Sequence, residues 1–391
     1  MKRKKTQVAC AAVLGLCLAA LILLAWITYA RYFSLPNSDM RSHMLRALAG
    51  GGYSLNSVLY RFFSLFGTEI AYILYNLLLL LGTVFAAAFA ARKYSALQYG
   101  QTFSPGHFLP LSLSLLFLCT LYIPGAYPWF YRNRDCAACS SLITQPWQSD
   151  TYNLMRLFAI GALTAACLMK SRYREKFPWL LAGVFTVTLV LANYAKPSFV
   201  VCFAPALLVF LIRDFLRDRG RTVGKQVLFG LCVLVSLPIL LLQYGVLYGE
   251  ETGSGIVVTF SRILSGTPLD WLMVTVSGLA VPILFSVVLL RRKQWEEQLT
   301  MIWLAYAVSL VIRLFFAETG YRSSQNNFAW GTMICAYLLY LFLLLRLHSA
   351  YHGGKLSGRT YALLMNAYGL NVVCGILYFL RISITGVSCL F

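Results

Sequence analysis

An all-α, polytopic integral membrane protein of about eleven transmembrane helices, with short juxtamembrane helices in the first outer loop, is the fold class that this chain predicts. Three observations carry the prediction. Of 391 residues, 59% are hydrophobic and only 12% charged, where soluble domains are about a quarter charged. The apolar residues gather in runs that approach the roughly 20 residues needed to span a bilayer. Lys and Arg outnumber Asp and Glu by 33 to 13, yet they stand in short clusters between the apolar runs, which is the pattern of membrane topology and not of a nucleic-acid surface. No phosphate-binding glycine loop, nucleotide fingerprint or zinc-type Cys and His spacing is present, which sets those soluble classes aside. We expect one transmembrane domain over residues 1–391 and no separate soluble domain.

The basic start, Met1 to Lys5, precedes an apolar run over 8–30. That run is too long for the core of a cleaved signal and reads as an uncleaved first span. Further spans are expected at 69–91, 108–124, 153–170, 178–194, 198–212, 226–248, 272–290, 299–317, 328–346 and 362–380. Alternating connections then place 21 of the 33 basic residues on the side of the N-terminus, in clusters at Arg92-Lys93, Lys170 to Lys176, Arg213 to Lys225, Arg291 to Lys293, and Arg346 to Arg359. Basic loops stay in the cytoplasm. The N-terminus is therefore expected inside and the C-terminus outside, in a bacterial cytoplasmic membrane with the chemistry on the outer face.

The first outer loop, 31–68, concentrates that chemistry. Asn37 or Ser38 can cap a helix running to Gly50, Gly51 and Gly52, and at helical spacing Asp39, His43 and Arg46 share one face. A carboxylate at a helix N-terminus is favoured in its ionised form, so Asp39 can hold a metal or accept a proton. Beyond the glycines, Leu55, Val58, Leu59, Phe62 and Phe63 line one face of a second helix, which reads as lying along the membrane interface. The connection 249–271, rich in Gly, Ser and Thr, reads as a lid or a plain connector.

A second focus is the outer connection from Glu318 through Arg322 to Asn327 and Trp330. Its carboxylate, guanidinium and amides suit phosphate and sugar hydroxyls. Lys196, between two helices and followed by Pro197, reads as an interfacial anchor or as part of an anion site. Asp150 and Glu318 both qualify as a second acid. Cys136 and Cys139 lie in the outer loop 125–152 and read as a small disulfide or as free thiols, with a redox pair as the alternative. His107, His348 and His352 fall at cytoplasmic helix ends and read as solvated bystanders.

These stretches resemble the class C glycosyltransferases, polytopic enzymes that take a sugar from a polyprenyl-phosphate carrier on the outer side of a membrane. A basic start, one span, and then an acid in a first outer loop with juxtamembrane helices is their common plan. Ser38-Asp39-Met40-Arg41-Ser42-His43 followed by Tyr53 to Tyr60, and Glu318 to Arg322 with Asn327 to Trp330, are the stretches that look alike. The resemblance implies transfer of a sugar to a cell-envelope glycan, lipid or protein acceptor. Asp39 is then the catalytic acid position, joined by His43, and Arg41, Lys196, Glu318, Arg322 and Asn327 contact the donor phosphate or sugar. The first loop lacks an Asp-x-Asp or Asp-Glu doublet, so activity with and without a divalent metal both stay open. A polysaccharide polymerase or ligase with lipid-diphosphate donors, and a lipid or polysaccharide transporter or flippase, are the rival readings.

Overall fold

The computed structural model describes residues 2–35, 39–119, 147, 149–249, 253–260, 268–323 and 327–385. In chain order the helices are α1 (Lys2–Ser34), α2 (Asp39–Leu48), α3 (Leu55–Phe63), α4 (Thr68–Tyr99), α5 (Leu109–Leu115), α6 (Asp150–Arg172), α7 (Trp179–Ala195), α8 (Ser198–Asp218), α9 (Val223–Leu234), α10 (Leu237–Tyr248), α11 (Pro268–Arg291), α12 (Glu297–Phe315), α13 (Ala329–His352) and α14 (Gly358–Thr385). Among the described residues, eight stretches are helical, long and apolar enough to cross a membrane, with α9 and α10 together making one of them. The helix α7 and the 278–291 part of α11 are shorter apolar helices. Lipid-sized side chains point outward all round, including Leu16, Leu180, Leu216, Leu242, Leu370 and Ile384, while helix hydrogen bonding satisfies the backbone behind them. At the centre stands α13, 89% buried along its apolar window.

Contacts sort the helix ends into two groups. At one end Asp150, the first residue of α6, meets His43 of α2 and Asn56 of α3. Thr28, near the end of α1, bonds Ser383, near the end of α14, and Tyr248 at the end of α10 bonds Glu318. At the other end Ser171 of α6 bonds Gln98 of α4, and Lys170 pairs with Asp214 of α8 and Glu297 of α12. Arg346 of α13 pairs with Glu296 there, and Lys225 of α9 donates to the carbonyls of Arg174 and Glu175. Burial raises the Glu296 carboxyl above its ordinary range, against the opposing pull of Arg346. Every basic cluster beyond the N-terminal one therefore sits at a single end.

The span expected at 108–124 is not a spanning helix among the described residues. Pro110 opens α5, which covers only seven residues, about 10 Å at 1.5 Å per residue, and residues 120–124 lie outside those described. Tyr361 of α14 bonds His348 at the basic end, Tyr368 bonds Ser114, Asn371 donates to the Cys119 carbonyl, and Phe379 stacks on Trp147 with ring centroids 4.1 Å apart. The described residues Ser114, Cys119 and Trp147 thus meet α14 at successively later positions. A side chain at Gly375 would lie 1.6 Å from the Phe117 carbonyl, so a glycine is what allows this close approach.

The architecture also departs from all-α at one place. Ile256–Val258 (β1) and Phe316–Glu318 (β2) pair antiparallel, with Ile256 opposite Glu318 and Val258 opposite Phe316. The described part of the 249–271 connection is therefore tied to the chain that follows α12. Gly320, at φ +69°, permits this, because a Cβ there would lie 2.1 Å from the Gly253 carbonyl oxygen.

Three histidines expected to be solvated bystanders instead form a cluster. The Nε2 atoms of His107 and His348 are 2.7 Å apart, and one ligand atom from each of His107, His348 and His352 lies within 4.8 Å of the others. Burial and the neighbouring His352 lower the affinity of His107 for a proton.

Candidate functional site at the Asp150 end of the bundle

The site begins with two short helices that only local chemistry can hold in place. After Leu48 the chain turns through Gly50 (φ +84°) and Gly52 (φ +101°). Arg61 of α3 reaches back to the carbonyls of Ala47, Gly50 and Gly51 at 2.7–3.0 Å, so a cation closes the C-terminus of α2, where the helix dipole favours it. Helix α3 leaves Val58 and Phe62 exposed and buries Asn56 and Tyr60, as an interfacial helix with one wet or protein-facing side should. The expected caps of α2, Asn37 and Ser38, lie outside the described residues. The backbone of Asp39 starts the helix one turn before His43.

The carboxylate at the centre is that of Asp150. It is fully buried, which is costly for an anion unless donors surround it. They do. The Thr151 amide and Asn56 Nδ2 each donate to it at 2.6 Å, and His43 Nδ1 lies 3.0 Å from Oδ1. Tyr75 donates its hydroxyl to Asn56 Oδ1, which fixes the amide with its nitrogen towards Asp150. The Tyr60 ring packs on Tyr75 at 4.6 Å. His43 keeps 39% of its side chain exposed, so an anchored imidazole stands at the edge of a buried carboxylate.

Beside this group, aromatic rings lead across to the second polar focus. Tyr152, two residues after Asp150 on α6, contacts Trp330 at 5.6 Å between centroids, and Lys196 Nζ lies 4.5 Å from the Trp330 centroid. Arg156 lies between the Tyr152 and Tyr337 rings, 5.7 and 5.2 Å away. These are cation–π distances, for which buried instances contribute about 2 kcal/mol.

Glu318 organises the second focus. Asn327 donates to it from its backbone amide at 3.2 Å and from Nδ2 at 3.0 Å, Tyr248 donates its hydroxyl at 2.7 Å, and Arg322 Nε lies 3.3 Å away. The Arg322 guanidinium also covers the Tyr248 ring at 5.7 Å. Glu318 and Arg322, four residues apart, meet through a strand end followed by a 3₁₀ turn over Gly320–Arg322 and not along an α-helix.

The sequence-derived residues accordingly fall into three sets. His43 and Asp150 meet directly, and Glu318, Arg322 and Asn327 meet one another, with Lys196 and Trp330 between the two groups. Arg41 lies over the Phe33 ring at 5.6 Å. Cys136 and Cys139 lie outside the described residues, as does the side chain of Asp39. Asn56, Tyr75, Tyr152 and Tyr248 are site residues that the sequence reading passed over as members of the site. One signal was available, since Asn56 and Tyr60 stand four apart on α3, beside its apolar stripe.

As a metal centre this end is poorly supplied among the described residues. Both oxygens of Asp150 and both of Glu318 are already satisfied by hydrogen-bond donors. The arrangement suits a different task, in which an oriented imidazole handles a proton beside aromatic faces and cations that fit a sugar and an anion. The chain matches no protein-family model, no curated protein and no solved structure.

Proposed function

We propose that the protein is a membrane glycosyltransferase that moves a sugar from a polyprenyl-phosphate donor to a cell-envelope glycan, lipid or protein acceptor on the outer face of a bacterial cytoplasmic membrane. The observation that carries this reading is His43 held by the buried Asp150 carboxylate, in a helix bundle with an apolar exterior where Tyr152, two residues after Asp150, meets Trp330 and Trp330 meets Lys196. The single basic end is taken as cytoplasmic, which turns the Asp150 end outward and the N-terminus inward. Eight long spans, the two shorter apolar helices and the return along α14 then make eleven passes.

In this mechanism the turn from Asp39 to His43 supplies the general base. With Nδ1 committed to Asp150, Nε2 is the nitrogen that takes the acceptor hydroxyl proton, and Asp39 is the second proton-accepting group of the same turn. The acceptor oxygen forms its bond to the anomeric carbon from the face opposite the phosphate, the bond from that carbon to the phosphate oxygen breaks, and configuration inverts. The prenyl phosphate leaves as an anion and needs no proton. Lys196 and Arg322 stabilise its charge, and Trp330 and Tyr152 offer flat faces to the sugar.

The reading is tested by incubating purified protein with radiolabelled polyprenyl-phosphate sugars and with the matching diphosphates. Release of prenyl phosphate supports it. Turnover of diphosphates alone selects a polymerase or ligase, and movement of lipid across vesicles without bond cleavage selects a transporter.

A further inference from the structure

The histidine cluster at the basic end lies far from the proposed chemistry and has no part in it. We propose that His107, His348 and His352 form a binding site for one divalent transition-metal ion of the zinc and cobalt class. His348 and His352 stand four residues apart near the end of α13, so both rings rise from one helix face. His107 joins them from the connection between α4 and α5, which is pinned in place by Gln101 donating to the Ser349 carbonyl at 3.1 Å and Arg92 donating to the Phe103 carbonyl at 3.0 Å.

The surroundings orient the rings as a ligand set requires. Phe103 stacks on His107 at 4.4 Å and touches both His348 and His352 at 5.4 Å. The Tyr361 hydroxyl lies 3.0 Å from His348 Nδ1, which uses that nitrogen and turns Nε2 towards His107. An outer hydrogen bond of this kind is what fixes the tautomer of a metal-bound imidazole. Two Nε2 atoms 2.7 Å apart can share at most one proton between them. An ion bonded to each at about 2.0–2.1 Å holds such nitrogens about 3.3 Å apart in a tetrahedral site, so this pair opens by about 0.6 Å and the wider separations of the cluster, up to 4.8 Å, close by up to about 1.5 Å, movements open to the loop residue His107 and the exposed ring of His352. An all-imidazole set excludes magnesium and calcium, which take oxygen, and favours zinc, cobalt, nickel or copper. Three protein ligands leave a fourth position for water. The ion would tie the 100–108 connection to α13 and, through Tyr361, to α14.

Cobalt titration of the full-length protein reads this directly. The protein is purified in detergent by a tag without histidine and stripped with chelator. Co²⁺ is then added, with visible absorption and elemental analysis as readouts. The expected result is about one ion per chain with a tetrahedral-type spectrum, displaced by Zn²⁺, with binding at least about tenfold weaker in His107→Ala and in His352→Ala. Tyr361→Phe keeps the packed ring and is also expected to weaken binding by about tenfold. It serves if a histidine variant fails to fold. His43→Ala, which alters the fourth histidine of the chain, should bind cobalt as the unaltered protein does. Neither Co²⁺ nor Zn²⁺ retained above the buffer level, or equal binding in the two histidine variants and Tyr361→Phe, would overturn the site and leave a hydrogen bond between two neutral imidazoles.

Discussion

His43 Nδ1 lies 3.0 Å from Asp150 Oδ1, across 107 positions of sequence. The contact joins α2, in the connection between α1 and α4, to the start of α6 and brings an imidazole to a carboxylate that is otherwise sealed from solvent. Replacing Asp150 by Asn keeps the volume but removes the charge and turns a donor towards Asn56 or His43. Thermal unfolding in detergent should show a loss of about 1.5–3 kcal/mol, the range for hydrogen bonds to a charged group. His43→Ala should cost less, because much of its ring is exposed and screened. Equal stability of the Asp150→Asn protein would mean that the buried carboxylate has no structural hold on the loop.

Glu318 and Arg322 divide their roles by burial. The Glu318 side chain is 1% exposed and gathers Tyr248, Arg322 and Asn327, whereas Arg322 is 13% exposed. Glu318→Ala leaves Tyr248 and Asn327 without their shared charged acceptor and should destabilise by about 1.5–3 kcal/mol. Arg322→Lys retains the charge but not the planar fork, so donor binding should weaken, and Arg322→Ala should weaken it further. Donor affinity unchanged across both Arg322 variants would remove that residue from the donor site.

The proposed sidedness rests on the gathering of basic residues at one end. A single cysteine at Ser254, in a cysteine-depleted background, should react with an impermeant reagent applied outside intact cells, and one at Ser357 only after the membrane is opened. The reverse pattern would invert the bundle and move the Asp150 end into the cytoplasm.

Much of this arrangement was legible in the chain because it is written in local patterns. The glycines after Leu48, the apolar stripe of α3 and the spacing of Glu318 and Arg322 all act within one or two turns. What escaped depends on distant partners. Nothing near Asp150 announces His43, and His107 is 241 positions from His348, although the four-residue spacing of His348 and His352 was a usable hint. The strands β1 and β2 have three residues each, too few for an alternating pattern to stand out. The 108–124 run was apolar enough to resemble a span, but its described part, 108–119, packs against α14, where Phe117 meets Gly375 and Ser114 meets Tyr368.

The most direct measurement of the central claim is release of prenyl phosphate from polyprenyl-phosphate sugars by the unaltered protein, by His43→Ala and by Asp39→Asn. The account predicts release by the unaltered protein, a fall of roughly 10²–10⁴ in rate when the general base His43 is removed, and a smaller fall for Asp39→Asn, with the sugar configuration inverted in the product. Undiminished release by both variants, or no release from any monophosphate donor, would contradict it.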